Sequence, residues 1–435
     1  MKKLTALFMA LIMVVTLCAC GSTESNPTSA AEQTTAQASE KEPEEKVTLT
    51  LFNYKSEIAE KLEALEVEYE KEYPNVDLVV ETVAGTDYQT PLKAKFSGNE
   101  APDIFCCTGD SELDTWLEHL EDLSDQPWVD DMVEVLKDGI SRDGKIYGMA
   151  MNVEAVGFVY NKELFAEAGI TELPTTFSEL TAVVEKLNAA GITPFTSSYA
   201  NYVVGGRFAL NNPVSKQPEG AIAFIEGLNN GTASFIDNEI FDGFFDLLDL
   251  EVSNCTTDPI TTDYNTQISQ LANGEAAMCI RGNFIEPMLK SMETEYEFGL
   301  FGMPLNDDSE LNDAIFVGTS TYWVVNKNSA DNVKEAAKEF LNWLVSSETG
   351  QRYITEEFGF ISSVTTVQAN PETMGSISMD VQTYINEGKT YGYNWPKYPV
   401  GVVNELGSIV QQYVAGQTGR EETLKLFQEA WEAYR

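Results

Sequence analysis

The sequence predicts an α/β protein with many helices, on three observations. Near the front, "VTLTLFNY" (47–54), "SEIAEKLEALEVEYEKEYP" (56–74) and "NVDLVVETV" (75–83) follow one another in strand–helix–strand order. Further on, "PTTFSELTAVVEKLNAAGI" (174–192), "SADNVKEAAKEFLNWLVSSE" (329–348) and "GREETLKLFQEAWEAYR" (419–435) each carry apolar residues at helical spacing. And 435 residues at 43% hydrophobic content are enough for two domains with cores of their own.

The chain opens with a basic start, Lys2 and Lys3, and an apolar run from Leu4 to about Leu17. The run is short for a membrane span of ~20 residues and reads as a secretory signal. Its end, Leu17-Cys18-Ala19-Cys20-Gly21, resembles a bacterial lipobox. Cleavage before Cys20 and lipidation of that cysteine are expected, with 1–19 as the signal peptide. Residues 21–46 hold no large apolar side chain, so 20–46 is expected to be a disordered tether.

The folded part starts with a strand that alternates and then turns apolar. In the helix after it, Ile58, Leu62, Leu65, Tyr69 and Tyr73 form one stripe, with Ser56 as the expected cap and Glu57 and Glu60 in the first turn. "APDIFCCTG" (101–109) supplies another strand, with Cys106 and Cys107 on opposite faces. In 174–192 Thr176 and Glu179 form a capping box; Leu180, Val183, Val184 and Leu187 face inward, and Gly191 ends the helix. Val333, Ala336, Ala337, Phe340 and Leu344 line one side of 329–348. In the last helix Leu424, Phe427, Trp431 and Tyr434 share a stripe, with Thr418 and Glu421 as the expected cap.

Twenty-seven basic against 69 acidic residues give a formal charge of −42, which argues against nucleic acid and anionic lipid surfaces as direct partners. The single histidine, His119, is expected on a solvated helix face. It leaves no multi-histidine zinc site and makes a Ser-His-Asp triad improbable. There is no phosphate-binding loop of either Gly-rich type, so no cofactor is expected. With 69 acidic residues, no single pair of carboxylates signals glycoside hydrolysis. Cys255 and Cys279 are open to two readings, a disulfide in an oxidising compartment or buried thiols.

"MNVEAVGFVYNK" (151–162) places a carboxylate, Glu154, in an otherwise apolar run. A buried carboxylate needs a partner. Two readings are open: an acceptor for ligand hydroxyls in a cleft, or one half of an ion pair that fastens a hinge.

Several stretches, taken in chain order, resemble one family. They are "VTLTLFNYKSE", "YEKEYPNVDLVVETVAG", "GNEAPDIF", "DGKIYGMAMNVEAVGFVYNKELFAEAGI", "PTTFSELTAVVEKLNAAGITPF", "LANGEAAMCIRGNF", "GLFGMPL" and "AAKEFLNWLVSSETGQ". From about residue 47 to 435 the chain is similar to the extracellular (family 1) solute-binding lipoproteins of ABC sugar importers, the family that includes the maltose-binding protein. The resemblance implies a two-lobe, class II periplasmic-binding-protein-like fold with a hinge and a ligand cleft between the lobes. Lobe one would be 47–156 plus 318–392, lobe two 157–317 plus 393–435. The chain would cross near Val156 to Val159, Val317 to Thr321 and Tyr391 to Trp395.

It also implies capture of a mono- or oligosaccharide for a membrane permease by a lipid-anchored monomer with no catalytic residues and no metal. A non-sugar solute such as a peptide, polyamine or charged sugar derivative is the alternative, and a lipid-anchored hydrolase a further one. On this likeness Glu154 accepts sugar hydroxyls, while Phe284 and Trp395 are stacking plates, with Phe284 standing where relatives often carry Trp. Tyr202 lies in a cleft-lining loop. Arg281, beside Phe284, could reach an acidic or hydroxyl-rich ligand. Asp110 and Glu57, at strand C-terminal ends, are further candidates, because open α/β sheets bind ligands at that edge. Trp323 is expected in the core.

Overall fold

The computed structural model describes residues 46–83, 88–256 and 258–435. The signal peptide, Cys20 and all but the last residue of the tether lie outside the described residues, and so does the side chain of Glu57.

The chain first lays down β1 (Val47–Asn53), β2 (Val76–Thr82), β3 (Ile104–Cys107) and β4 (Gly148–Ala150). It then crosses to β5 (Glu154–Asn161), β6 (Met278–Arg281), β7 (Phe298–Phe301) and β8 (Ile315–Gly318). It returns for β9 (Tyr322–Val325) and ends its strands at β10 (Thr390–Gly392). Two five-stranded sheets result. The first has the order β2-β1-β3-β9-β4, with β1 parallel to β2 and β3, and β9 antiparallel to its neighbours. In the second, β5 runs antiparallel to β6, β7 and β8, and β10 lies parallel to β8. All four residues of β3 are buried, including Cys106 and Cys107, as a strand covered on both faces requires.

Around the sheets lie helices α1 (Ala59–Glu72), α2 (Phe177–Ala189), α3 (Leu210–Ser215), α4 (Asp331–Ser346), α5 (Ser376–Asn386), α6 (Val402–Val414) and α7 (Arg420–Tyr434). Helix α1 connects β1 to β2 and buries Leu62, Leu65 and Tyr69. The Tyr69 ring meets Phe340 and Trp343 of α4 edge-on, each at 5.0 Å. Ser56 does not cap α1. It begins a 3-10 turn, Ser56–Ile58, whose N-cap is Lys55, so the helix proper starts one turn later. In α2 the Thr176–Glu179 capping box is present, the four expected residues are buried, and Gly191 follows with φ +77°. Helix α4 buries Ala336, Ala337, Phe340 and Leu344 as expected, while Val333 is only half-buried. Helix α7 buries Thr423, Phe427, Ala430 and Trp431, turning Leu424 partly and Tyr434 largely outward. Its N-cap is Gly419. Thr418 instead shares a hydrogen bond with the Thr423 hydroxyl at 2.9 Å, so it makes no box with Glu421.

The crossings differ from expectation in two places. The first lies at Met151–Val153, because β5 already starts at Glu154. The third is complete by Ser376, well before Tyr391. Helix α5 packs on β7 of the second sheet, the Ser376 hydroxyl donating to Phe298 O at 2.7 Å and Leu300 N donating to Asp380 Oδ2 at 3.0 Å. The second crossing runs between β8 and β9.

The period of a strand divides β5 between two cores. Ala155 and Val159 join a core that runs on from the first sheet to Phe298, Leu300, Ile377 and Val381, while Val156, Phe158 and Tyr160 join the core built on α2, α3, α6 and α7. Trp323 is core, 1% exposed. His119 is half-buried rather than solvated, with the Phe96 ring 4.9 Å away. The cysteines settle on the thiol reading. Cys279 is buried, and the Cys255 thiol donates to Val252 O at 3.2 Å.

Candidate functional site

Glu154 opens β5 beside Gly318 of β8, on the face that carries Val156 and Phe158. Its Oε1 accepts from Lys55 Nζ at 3.1 Å and from Asn152 Nδ2 at 3.3 Å. Lys55 stands just past the end of β1 with its side chain 6% exposed. The Glu154 side chain is 21% exposed, so the lysine is sealed while the carboxylate keeps an open side. Lys55 Nζ also lies 5.2 Å above the Phe360 ring, a cation–π contact.

This pair forms part of the wall of a cavity of about 530 Å³. Asn152, Asn283 and Phe284 continue the wall, and Phe358 and Phe360 face it from the first lobe with ring centroids 5.7 Å apart. Asn283 is fixed by accepting from Ala155 N at 2.8 Å. Gly282 is required there, since a Cβ would sit 1.6 Å from Ala155 O. Where chain crosses chain so closely, only glycine fits.

An aromatic row leads away from Phe284. Phe208 lies 5.9 Å from Phe284 and 5.8 Å from Trp395, and Trp395 stacks on Tyr393 at 4.0 Å. Phe208 sits in a π-helical turn, Val204–Ala209, a distortion common at functional sites. Tyr393 packs close against the bare backbone of Gly318, where a Cβ would come within 2.0 Å of its ring. Its buried hydroxyl has no protein partner, and burial together with the nearby charge of Glu154 holds its pKa well above the ordinary phenol value.

The remaining candidates fall elsewhere. Asp110 follows β3 as expected, but its carboxylate does not line the cavity and lies 3.5 Å from Lys397 Nζ. Burial raises the Asp110 pKa, with Lys397 pulling it back down. Tyr202 is 38% exposed and lies against Gly407 of α6, outside the cavity wall.

Arg281 is 1% exposed, which corrects the expectation of direct ligand contact. As part of β6 it points into the second lobe. It donates to Ser198 Oγ at 2.6 Å, and its guanidinium lies 6.0 Å from the Phe208 ring and 5.0 Å from Tyr264. Near it is a second buried carboxylate, Glu251, fully enclosed and accepting from Ser197 Oγ at 2.6 Å and Tyr199 OH at 2.7 Å. Burial pushes its pKa up to about 7, against the pull of those hydroxyls and of the Arg281 charge.

Sequence reasoning missed Lys55, Asn152, Phe208, Phe360 and Tyr393. The strand-end rule that selected Glu57 applies equally to Lys55, two residues earlier. "YGYNWPKYP" is dense enough in aromatics to have pointed to Tyr393 as well as Trp395.

Residues 53–351 match the family described as bacterial extracellular solute-binding protein. The chain belongs to that family. It is 22% identical over 431 residues to the melibiose/raffinose/stachyose-binding protein MelE of Bacillus subtilis, covering 95% of this chain and 92% of MelE. It is also 22% identical over 316 residues to the multiple sugar-binding protein of Streptococcus mutans, covering 71% of this chain and 74% of that one. Among solved structures, apo RafE of Streptococcus pneumoniae superposes with a TM-score of 0.75 at 18% identity, covering 91% of this chain and 99% of RafE. A family 1 extracellular solute-binding protein of Bifidobacterium longum subsp. infantis gives 0.72 at 23%, covering 89% and 100%. The two-lobe architecture is thus that of a solute-binding protein, which carries its ligand and is not an enzyme. Among the described residues no helix is long and apolar enough to cross a membrane.

Proposed function

We propose that this solute-binding protein captures a carbohydrate, a mono- or oligosaccharide, outside the cell and delivers it to the membrane permease of an ABC importer. One observation carries the reading: the cavity joins a half-open carboxylate, Glu154, to the aromatic faces of Phe284, Phe358 and Phe360. A pyranose has hydroxyl edges and an apolar C–H face. Carboxylate and amide groups such as Glu154, Asn152 and Asn283 serve the edges, and rings serve the face. Phe208 and Trp395 extend the contact surface along the aromatic row, and Tyr202 stands apart from it. The relatives' names point the same way, to several sugars and to melibiose, raffinose and stachyose, and RafE has been seen in complex with raffinose.

The lobes best bounded by the chain crossings are 47–150 with 322–363, and 154–318 with 376–435. Ligand touching both would favour their closure by its differential affinity for the closed state. The carrier acts as a monomer held at the extracytoplasmic face by lipid on Cys20. A Cys20→Ala protein found in the membrane fraction with its signal removed would overturn that anchor.

Calorimetric titration against a panel of galactosides, glucosides and arabino-oligosaccharides, with polyamines and short peptides alongside, tests the substrate class. Saturable binding of at least one sugar, with no response to the polyamines or peptides, is expected. Binding confined to a polyamine or a peptide refutes the reading.

A further inference from the structure

Asp110 and Lys397 belong to opposite lobes. Asp110 follows β3 in the first sheet. Lys397 ends a short turn, Trp395–Lys397, directly after β10 of the second sheet. That turn is tied to the second lobe: Asn394 N donates to Asn211 Oδ1 at 2.9 Å, and Asn394 Nδ2 donates to Ser215 Oγ at 2.8 Å, both on α3. Tyr398 and Val402, just beyond, are core residues of that lobe. Yet Lys397 Nζ reaches across to 3.5 Å from Asp110 Oδ1, with the lysine side chain 20% exposed and the aspartate side chain 14%.

The aspartate is held at a conformational cost. Its backbone has φ +49° and ψ −116°, a region open to glycine and strained for any residue with a Cβ. The surroundings enforce it. Asp110 N donates to Gly139 O at 2.6 Å, and Asp110 O accepts from Arg142 at 2.8 Å. Arg142 is in turn gripped by Asp114 at 2.6 Å. The second carboxylate oxygen, Oδ2, rests against Gly139, 3.3 Å from where a Cβ would stand. One oxygen thus faces lysine and the other faces backbone, which leaves little of this carboxylate for a sugar. A glycine here would be relaxed, so the strain is tolerated for the charge.

We propose that Asp110 and Lys397 form a latch between the lobes, which raises the closed population of the ligand-free protein and so sets apparent affinity without touching ligand. Lys397 is then a positioning residue. The lobes also meet nearby, where Val135 of the first lobe comes within 3.9 Å of a Cβ placed at Gly392. A partly exposed pair of this kind shifts an open–closed ratio by a few-fold, and salt weakens it. Apparent affinity scales with the fraction of molecules able to close, so loss of the latch lowers it by the same factor. The inference rests on the reading that the lobes close, and not on which solute they enclose.

The test uses ligand-free protein with spin labels at one exposed site on each lobe, and distance distributions recorded at low and at high salt. Wild type should show open and closed populations, the closed one larger at low salt. Lys397→Gln and Asp110→Asn should each reduce the closed fraction a few-fold, the double variant no further, and Lys397→Arg should restore it. High salt should make wild type resemble Lys397→Gln. Lys397 lies on a turn surface, so its variant should keep the wild-type melting temperature.

Two populations that ignore both Lys397→Gln and salt would overturn the latch and leave the hinge standing. A single distance unchanged by every variant and by salt would overturn the hinge as well. Additive effects of Asp110→Asn and Lys397→Gln would show that the two groups act separately, which also refutes the latch.

Discussion

Glu154 and Glu251 are both carboxylates set among apolar residues, and the structure treats them in opposite ways. Glu154 has a cationic partner at 3.1 Å and keeps a side open to the cavity. Glu251 is fully enclosed and answered at close range by two hydroxyls, Ser197 and Tyr199, with the charge of Arg281 acting on it from nearby. A carboxylate that keeps its counter-charge and an open edge is available to a ligand. One wrapped in hydroxyl donors and packed into the lobe is an element of its architecture.

The largest test of this contrast is Glu251→Ala. It strands two buried hydroxyls and the Arg281 charge, and a loss of about 3 kcal/mol is expected in denaturant unfolding, with ligand affinity of the folded protein preserved. Next comes Glu154→Gln. A hydrogen bond to a charged group is worth ~1.5–3 kcal/mol, so calorimetry should show affinity falling roughly tenfold to a hundredfold. Stability should fall too, by about 1 kcal/mol, because the sealed Lys55 ammonium exchanges a charged acceptor for a neutral one. If Glu154→Gln instead lowers stability as much as Glu251→Ala and leaves affinity alone, Glu154 is a hinge fastener like any other buried ion.

A third test uses pH. The Glu251 carboxyl holds its proton more firmly in the folded chain, up to about 7, than an ordinary glutamate does in the unfolded one. Between about pH 4.5 and 7 the folded state therefore binds the extra proton. This group's contribution is full below that window and is lost as pH rises through it. Wild type minus Glu251→Gln, followed by melting temperature, should slope downward across the window. A flat difference would mean that Glu251 is ionised throughout.

The smallest expected effect is at Phe284→Trp. A larger plate should tighten sugar binding a few-fold without altering the melting temperature. No gain would place Phe284 beside the ligand rather than against its face.

Much of the architecture was legible because its signals are local. The Thr176–Glu179 box, the α2 stripe and the strand–helix–strand start all lie within short windows of sequence. Glu154 stood out because one charge interrupted an apolar run. Its partner did not, because Lys55 is 99 residues away and pairs with it only after two strands have been brought end to end. The same distance problem hid Phe208 and Phe360.

Arg281 was misread because a charged residue beside an aromatic suggests a surface, and only the fold shows the face of β6 on which it lies. Ser56 and Thr418 are cap-type residues, but they lie two residues and one residue before the N-caps that the helices use, Ile58 and Gly419. The third crossing was placed by the family likeness alone, and the contacts of Ser376 and Asp380 that tie α5 to β7 join segments about 80 residues apart, which no local pattern reveals.

The stack of Trp395 on Tyr393 has an optical consequence. Of the six tryptophans, Trp116, Trp128, Trp323, Trp343 and Trp431 are buried, and Trp395 alone is half-exposed beside the cleft. Five indoles thus supply a constant background of fluorescence, while the sixth reports on whatever displaces water from its face. The carrier contains its own dye. A shift or quench of emission on adding solute would read out occupancy in real time with no label attached, and Trp395→Phe should silence that signal while leaving most of the emission in place.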